Sequence, residues 1–552
     1  MRTGCLTCKI RRVPFTYIRL ATQACGYCRY CARVADHSEQ VKCDETKPSC
    51  AKCTSTGRKC DGYVAPSSPK EESGAVRHEA LVNPTKGPIL HSVNASVVEL
   101  RGLEYFCVKL APSMGMYFDA DFWNQSVVQA SVAEPAVRHA IVALGVLAKQ
   151  RELLDTAAEE SRQARPCTDH AMATIGTGAD TTNTVSDDIL ALRNYNRSIG
   201  QLARYMASTS QLTETTLLAC VLFVCIEFIR GDESAARRHF QGGLAIIMDR
   251  ISSYRLPGGT MVTCYDNCKA ILPIFNRLEM LSMLFGNDPA WPYPVPLLDT
   301  VPAMFDSLTH ARDSIVHLMN LSLRYIRRVF EIKYSPSTTP AWAVEEQQAL
   351  LLHLNFWHQC FIAYRSARAS ELSAADRYAS NVLEISRIVA KIWVSTALSP
   401  FESTNDDYMS DFETAVTLAE ELQVIAGMHD RLNRYSTTFT LDVEMIGPIH
   451  WISLKCRDPV LRRRAVAVLR TTRRREGVWD SLLYAALAER VIEIEEAGRI
   501  LGEWPREEVR VHHSGIEQTF GTCLHTHVVT LRLMPYGVYN EMVVRQEQIS
   551  AV

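Results

Sequence analysis

The chain has 552 residues, of which 47% are hydrophobic and 22% charged, enough for a substantial buried core. Its net charge is −2, yet residues 1–62 hold 12 lysines and arginines against 5 acidic residues, so a basic head precedes an acidic body. No secretory segment opens the chain, and the longest apolar run, 217–228, is too short to cross a bilayer. We therefore exclude secreted and membrane classes and expect a nuclear or cytosolic protein with an anionic partner.

Six cysteines near the start form two matching halves, each a C-x2-C pair followed by one further cysteine. They are Cys5, Cys8, Cys43, Cys50, Cys53 and Cys60. Thiolates at this spacing are typical zinc ligands, and six of them can hold two tetrahedral ions only if two sulfurs are shared. So short a segment buries little apolar surface, so metal binding would supply much of its folding free energy. The pattern predicts a site for two zinc ions.

Between the second and third of these cysteines, the residues nearest to them in sequence include four basic ones: Lys9, Arg11, Arg12 and Lys42. Basic side chains on a metal-tethered helix are suited to phosphates and to guanine O6 and N7 in the major groove. Because they fall inside the cysteine frame, a disulfide-rich secreted module is disfavoured. The sequence therefore predicts binding to double-stranded DNA.

An insertion interrupts this frame. Cys8 and Cys43 are separated by 34 residues, and removing the 28 residues Val13–Gln40 leaves six. Valine codons begin with GT and one glutamine codon is CAG, as at the ends of an intron, although Pro14 continues the donor site poorly. Our hypothesis is a retained intron or a gene-model error. The alternative is a translated insertion that carries an extra metal site on the three cysteines Cys25, Cys28 and Cys31 and disrupts both zinc and DNA binding.

Beyond the cysteines the chain becomes helical. Residues 63–96 are rich in Pro, Ser, Gly and charge, which predicts a linker, and they lack the heptads of a dimerising coiled coil. A homodimer formed by another route stays open. From Val97 apolar residues recur at helical spacing; Pro135 is placed to begin a helix, Gly231 to end one and Asp232 to cap the next.

Further segments complete the predicted architecture. Helices are expected at 267–285, 304–333, 343–371, 373–396, 409–426, 442–456, 459–474 and 479–500. An irregular connection is expected at 286–302, and alternation within 524–535 predicts a short strand. The predicted fold class is mainly α: a zinc-cluster module at 1–62, the linker, and a large all-α domain at 97–540 built as a bundle or solenoid.

Two resemblances follow from these segments. Without residues 13–40, the start reads GCLTCKIRRVKCDETKPSCAKCTSTGRKC and resembles the fungal Zn(II)2Cys6 binuclear cluster. LLACVLFVCIEFIRGDESAARRHFQGGLAII and CRDPVLRRRAVAVLRTTRRREGVWDS look like the fungal-specific regulatory domain of such transcription factors. The resemblance implies a nuclear regulator of RNA polymerase II genes that reads CGG-type half-sites, with Cys5 and Cys50 bridging the zinc ions. It further implies secondary-metabolite or nutrient genes as targets, and a helical body that acts through an effector pocket, a co-regulator surface or intramolecular inhibition.

Three other groups of charged or histidine residues are expected to have structural roles and not to form binding or catalytic sites. The arginine-rich helix face, with Arg462, Arg463, Arg464, Arg470 and Arg473–Arg475, is expected to pair with Asp458, Glu476 and Asp480 and not to contact phosphates. The tail histidines 512, 513, 525 and 527 are expected to be exposed, since with Cys523 they match no closed zinc pattern. Asp119 and Asp121 are expected to be first-turn acids of a helix.

Two rival classes were weighed against the DNA-binding regulator. A co-regulator or interaction protein without DNA binding follows if the insertion is translated. An enzyme ranks third, because the chain contains no H-E-x-x-H, G-x-S-x-G, P-loop or G-x-G-x-x-G motif.

Overall fold

The computed structural model describes residues 96–115, 117–163, 181–208, 214–253, 271–284, 301–429, 438–498, 503–517 and 526–550. The predicted zinc module, the linker up to residue 95 and most of the 286–302 connection lie outside these ranges. All of the described helices belong to one compact unit. Its structure is given below.

Helices build most of this unit, and each has definite bounds. In chain order they are α1 (Val97–Tyr105), α2 (Ala111–Gly115), α3 (Val127–Ala133), α4 (Pro135–Gln163), α5 (Thr181–Ser208), α6 (Glu214–Arg230), α7 (Glu233–Ser253), α8 (Leu272–Leu284), α9 (Leu308–Lys333), α10 (Ala341–Ala367), α11 (Ala374–Thr396), α12 (Met409–His429), α13 (Ile446–Lys455), α14 (Pro459–Thr472) and α15 (Ser481–Glu496). Short π-helical segments at Phe106–Leu110 and Phe122–Ser126 continue α1 and precede α3. Short 3-10 helices lie at Glu402–Tyr408 and Glu507–Val509.

Two small three-stranded sheets accompany the helices. The first contains β1 (Thr438–Thr440), β2 (Arg474–Glu476) and β3 (Trp479–Asp480); β1 runs parallel to β2, and β2 pairs antiparallel with β3. The second contains β4 (Val511–Glu517), β5 (Thr526–Leu533) and β6 (Val543–Ser550) in that order. The mainly α prediction is confirmed, and the strand predicted in 524–535 is β5.

Three residues that the sequence predicts to begin, end or cap a helix do so in the structure. Pro135 begins α4. Gly231 ends α6 with a φ of +77°, a left-handed conformation that favours glycine. The Asp232 carboxylate then accepts a hydrogen bond from the Ala235 amide at 2.8 Å and caps α7.

Two hydrophobic cores meet at α11. Ile385, Ile388 and Ile392 on one side of this helix enter the core shared by α4, α6 and α12 to α15. Leu383 and Val394 enter a second core, which α9 and α10 line. Helix α6 is likewise buried from Thr216 to Ile229, because it is hydrophobic on all sides. Neither α6 nor any other described helix meets the length and hydropathy needed to cross a membrane.

Two glycines allow α1 and α4 to cross in close contact. A Cβ added to Gly145 would stand 2.1 Å from the carbonyl oxygen of Gly102, and one added to Gly102 would meet the Val142 carbonyl oxygen at 3.0 Å. Both neighbours are backbone atoms and cannot rotate away. A side chain at either position would therefore force the two helices apart.

We expect Gly145→Ala to lower the free energy of unfolding by at least about 1–3 kcal/mol, because overpacking here strains backbone. Urea unfolding followed by circular dichroism measures this change. The matched control is Gly200→Ala at an exposed position of α5, where an added Cβ meets nothing within 4 Å. Because alanine has less conformational freedom than glycine in the unfolded chain, this variant should raise the free energy of unfolding by about 0.4–1 kcal/mol. Equal effects at both positions would contradict the close crossing.

Candidate functional site

The predicted zinc ligands and DNA-contacting residues lie outside the residues that the structure describes. They are Cys5, Cys8, Cys43, Cys50, Cys53, Cys60, Lys9, Arg11, Arg12 and Lys42. Cys25, Cys28 and Cys31 of the insertion lie outside them too. Within the described ranges, no cluster of three or more histidine, cysteine or acidic side chains could hold a metal ion.

Most arginines of the segment at α14 form ion pairs with carboxylates. Arg463 pairs with Glu496 at 2.6 Å, Arg464 with Glu420 at 2.7 Å and Arg470 with Glu489 at 2.5 Å. The structural interpretation is thus confirmed for these three arginines, but the acids come from α12 and α15 and not from the positions predicted. A phosphate approaching this face would have to compete with the existing ion pairs.

Glu495 joins three segments in a buried ion cluster. Its carboxylate accepts hydrogen bonds from Arg457 at 2.9 Å, from Arg462 at 2.8 Å and from the Val511 amide at 2.8 Å. The side chains of Arg457, Arg462 and Glu495 are fully buried. A buried charge without a partner is strongly destabilising, so these pairs favour the docking of α14, α15 and β4.

Glu476 on β2 caps a helix that lies thirty residues earlier in the chain. Its carboxylate accepts hydrogen bonds from the amides of Glu444 and Ile446, each at 2.9 Å, and from Met445 at 3.1 Å. These amides open α13, whose own N-cap supplies no side-chain bond. A carboxylate also complements the positive end of the helix dipole. Of the three acids predicted to neutralise arginines, Glu476 alone forms an ion pair with one of them, at 2.7 Å from Arg474.

The other two predicted acids have different roles. Asp458 caps α14, because it accepts hydrogen bonds from the amides of Val460 and Leu461. Asp480 caps α15 in the same way through Leu482 and Leu483. Each lies just before a helix, a position where aspartate is a preferred N-cap residue, and the sequence therefore contained this signal.

Asp119 and Asp121 lie at a helix start, as predicted, but the Asp119 side chain also joins an ion cluster that the sequence did not indicate. It accepts hydrogen bonds from Arg277 at 2.6 Å and from Arg312 at 3.0 Å, while Arg277 also contacts Asp442 at 2.5 Å. The two arginines hold the pKa of Asp119 below its usual value against the opposing effect of burial, whereas burial raises the pKa of Asp442 to about 6. Asp121 stays exposed and accepts a hydrogen bond from Gln125.

His512 was predicted to be exposed but is buried on β4, whereas His513 is exposed as expected. The Nδ1 atom of His512 lies 3.3 Å from the Tyr334 hydroxyl and 3.8 Å from Glu402. Glu402 in turn accepts a hydrogen bond from Lys455 at 2.7 Å. Burial is the largest cause that lowers the pKa of His512, to about 4. The imidazole therefore stays neutral at physiological pH.

Comparison with known proteins shows which family and which proteins this chain is similar to. The profile of the fungal specific transcription factor domain matches residues 101–429. The aspercryptin biosynthesis cluster-specific transcription regulator atnN of Emericella nidulans is 23% identical over 90% of this chain and 87% of its own. The transcription regulator lscL of Purpureocillium lilacinum is 29% identical over 39% of this chain and 48% of its own. No solved structure gives a significant match.

We expect Glu495→Gln to lower the free energy of unfolding by about 3–5 kcal/mol, because it removes the carboxylate that two buried guanidinium groups share and leaves each with a more distant one. Glu489→Gln on the same helix is the matched control. It removes a partly exposed pair with Arg470 and should cost less than about 1 kcal/mol. Chemical denaturation of both variants measures the difference, and similar losses would refute the buried cluster.

A second prediction concerns pH. The pKa of His512 is about 4 in the folded protein against 6.5 in an unfolded chain, so the unfolded state binds more protons between these values. His512 therefore contributes a loss of about 1.4 kcal/mol per pH unit as the pH falls through this window. His512→Gln should flatten the dependence of unfolding free energy on pH between about 6.5 and 5 relative to the wild type. Equal slopes in the variant and the wild type would show that His512 is not buried in its neutral form.

Proposed function

Because this chain belongs to the fungal-specific transcription factor domain family, we propose that it is a zinc-dependent, sequence-specific DNA-binding regulator of transcription. One observation carries the proposal: a family domain at 101–429 follows a six-cysteine frame that begins at Cys5 and ends at Cys60. The acidic helical body then serves in regulation, and the basic head serves in DNA binding.

The donor set fits zinc. Thiolates are preferred zinc ligands, and the two C-x2-C pairs with their single partners supply six. When bound, zinc would supply much of the folding free energy of the head. Lys9, Arg11, Arg12 and Lys42 would contact phosphates and the guanine edges of CGG-type half-sites.

The relatives support a proposal about the target genes. A regulator specific to the aspercryptin biosynthesis cluster aligns with 90% of this chain, which supports a biosynthetic gene cluster as the target here. Such a role places the protein in the nucleus, with double-stranded DNA and co-regulators as partners. A catalytic activity forms no part of this proposal.

A co-regulator without DNA binding is the second candidate, and the insertion at Val13–Gln40 favours it. These 28 residues separate Arg12 from Lys42 and add three competing thiols. If they are translated, the basic residues no longer share one short helix. The helical domain would then act through protein partners alone.

We expect the chain without Val13–Gln40 to bind two zinc ions and a CGG-containing duplex. Cys53→Ala in that form should lose zinc and abolish binding, whereas Cys107→Ala, in the helical domain, should change neither. Lys9→Ala should weaken binding and flatten the slope of log affinity against log salt by about one. Metal analysis and fluorescence anisotropy give the readouts.

The mature transcript and the DNA binding of the protein that retains Val13–Gln40 distinguish between the two candidates. Sequencing of the mature transcript across the codons for Arg12 to Lys42 shows which form is made. If the insertion is retained in the message and the zinc-loaded full-length protein binds no duplex, the co-regulator replaces the DNA-binding regulator. If the shortened form binds zinc but no CGG duplex, the zinc cluster stands and the DNA assignment fails.

A further inference from the structure

A cavity of about 260 Å³ lies between the first helices of the domain and the sheet formed by β1, β2 and β3. The π-helical segment after α1, the start of α2 and the middle of α4 form one side. The charged lining residues of the cavity are Lys109, Arg151, Asp155, Arg475 and Asp480. The Ser113 hydroxyl donates a hydrogen bond to the Phe439 carbonyl at 3.1 Å, which fixes one side of the cavity to the other.

Apolar side chains and charged groups occupy the cavity together. Leu110 and Phe439 are buried core residues, and Ile229 is nearly as buried. Three cations and two carboxylates complete the lining. A few charged groups within an apolar lining are typical of small-molecule sites.

Two of the three cations already have acidic partners. Lys109 pairs with Glu152 at 2.7 Å. Arg151 lies 3.2 Å from Asp155 and 3.7 Å from Asp480. Their positive charges are therefore balanced within the protein.

Arg475 is the exception. Its Nε atom is buried without a hydrogen-bond partner, and the guanidinium forms no ion pair with any described residue. Burial, followed by repulsion from Arg151, lowers its pKa despite the attraction of Asp480 and Asp155. Asp480 lies opposite Arg475 on β3, but its carboxylate is engaged in capping α15. A guanidinium kept in this state costs folding free energy unless an anion joins it.

We propose that this cavity binds a small monocarboxylate with an apolar body, whose carboxylate pairs with Arg475 and whose body packs against Leu110, Ile229 and Phe439. A planar guanidinium suits a carboxylate through two parallel hydrogen bonds. The volume lies just below the usual range of about 300–1,000 Å³ for ligand sites, so the ligand is small. Asp155 and Asp480 repel additional negative charge, which disfavours phosphates and dicarboxylates.

Ligand binding here would join two distant parts of the sequence. The helical side comes from residues 105–155, and the sheet comes from residues 439–480. A ligand that contacts both sides stabilises their association by RT ln(1 + L/Kd), where L is the free ligand concentration, an amount that grows with the logarithm of that concentration once the site is mostly filled. This inference does not depend on the proposed DNA binding, because its readout is binding to the helical domain.

The test is a titration of the full-length protein with phenylacetate, 4-methylpentanoate and hexanoate, each beside its neutral amide, by calorimetry and ligand-observed NMR. We expect at least one acid to show binding at concentrations up to about 10 mM. Its dissociation constant should be about tenfold lower than that of its amide. Arg475→Gln should remove this preference, and Arg475→Lys should retain part of it. Arg470→Gln, a surface arginine outside the cavity, should bind within about twofold of the wild type.

Three results would overturn the proposal. One is the absence of binding by all three acids to wild-type protein. Another is equal affinity for acids and amides, and a third is unchanged acid binding in Arg475→Gln. Competition by inorganic phosphate at the same concentration as the acid would replace the carboxylate class with an oxyanion site. Because Arg475→Gln removes a poorly paired cation, we expect its melting temperature to equal or exceed that of the wild type, which confirms that the variant is folded.

Discussion

The Asp119 carboxylate, held between Arg277 and Arg312, is the constraint on which the two cores depend. Arg277 lies on α8 beside the first core, and Arg312 lies on α9 beside the second. Asp442, just after β1, completes the cluster through Arg277. Removing Asp119 would take from Arg277 and Arg312 the carboxylate that they share. The helices α8 and α9 are therefore joined by charge as well as by hydrophobic packing.

Acidic side chains repeat this role through the C-terminal half of the domain. Glu495 gathers two arginines and a strand amide, Glu476 caps α13, and Glu402 holds Lys455. In each case a carboxylate from a distant segment satisfies backbone or guanidinium groups that would otherwise be buried without partners. The arginine-rich stretch around α14 looks like a nucleic-acid surface in one dimension. In three dimensions most of its charge is already neutralised by the protein.

The sequence was informative wherever the signal is local. Pro135, Gly231 and Asp232 mark helix ends through constraints that act within one turn, and the apolar spacing of α4 and α6 follows from the 3.6-residue period. It failed where partners are far apart. No residue near Asp119 in the sequence indicates its contacts with Arg277 and Arg312. The same holds for His512 and its neighbours Tyr334 and Glu402, because these contacts form only when the chain folds. Arg475 is a similar case: among seven arginines on one stretch, only the three-dimensional positions of the acids distinguish it. The zinc and DNA-contacting residues stay predictions.

The cap that Glu476 provides has a consequence for the order of folding. Helix α13 is ten residues long, shorter than an isolated helix needs to be stable in water, and the residue that satisfies its first amides arrives thirty positions later. A ribosome must therefore release α14 and β2 before α13 can be completed. The stretch from β1 to α15 would form as one cooperative unit, and a chain truncated before Glu476 would leave α13 with an unsatisfied start.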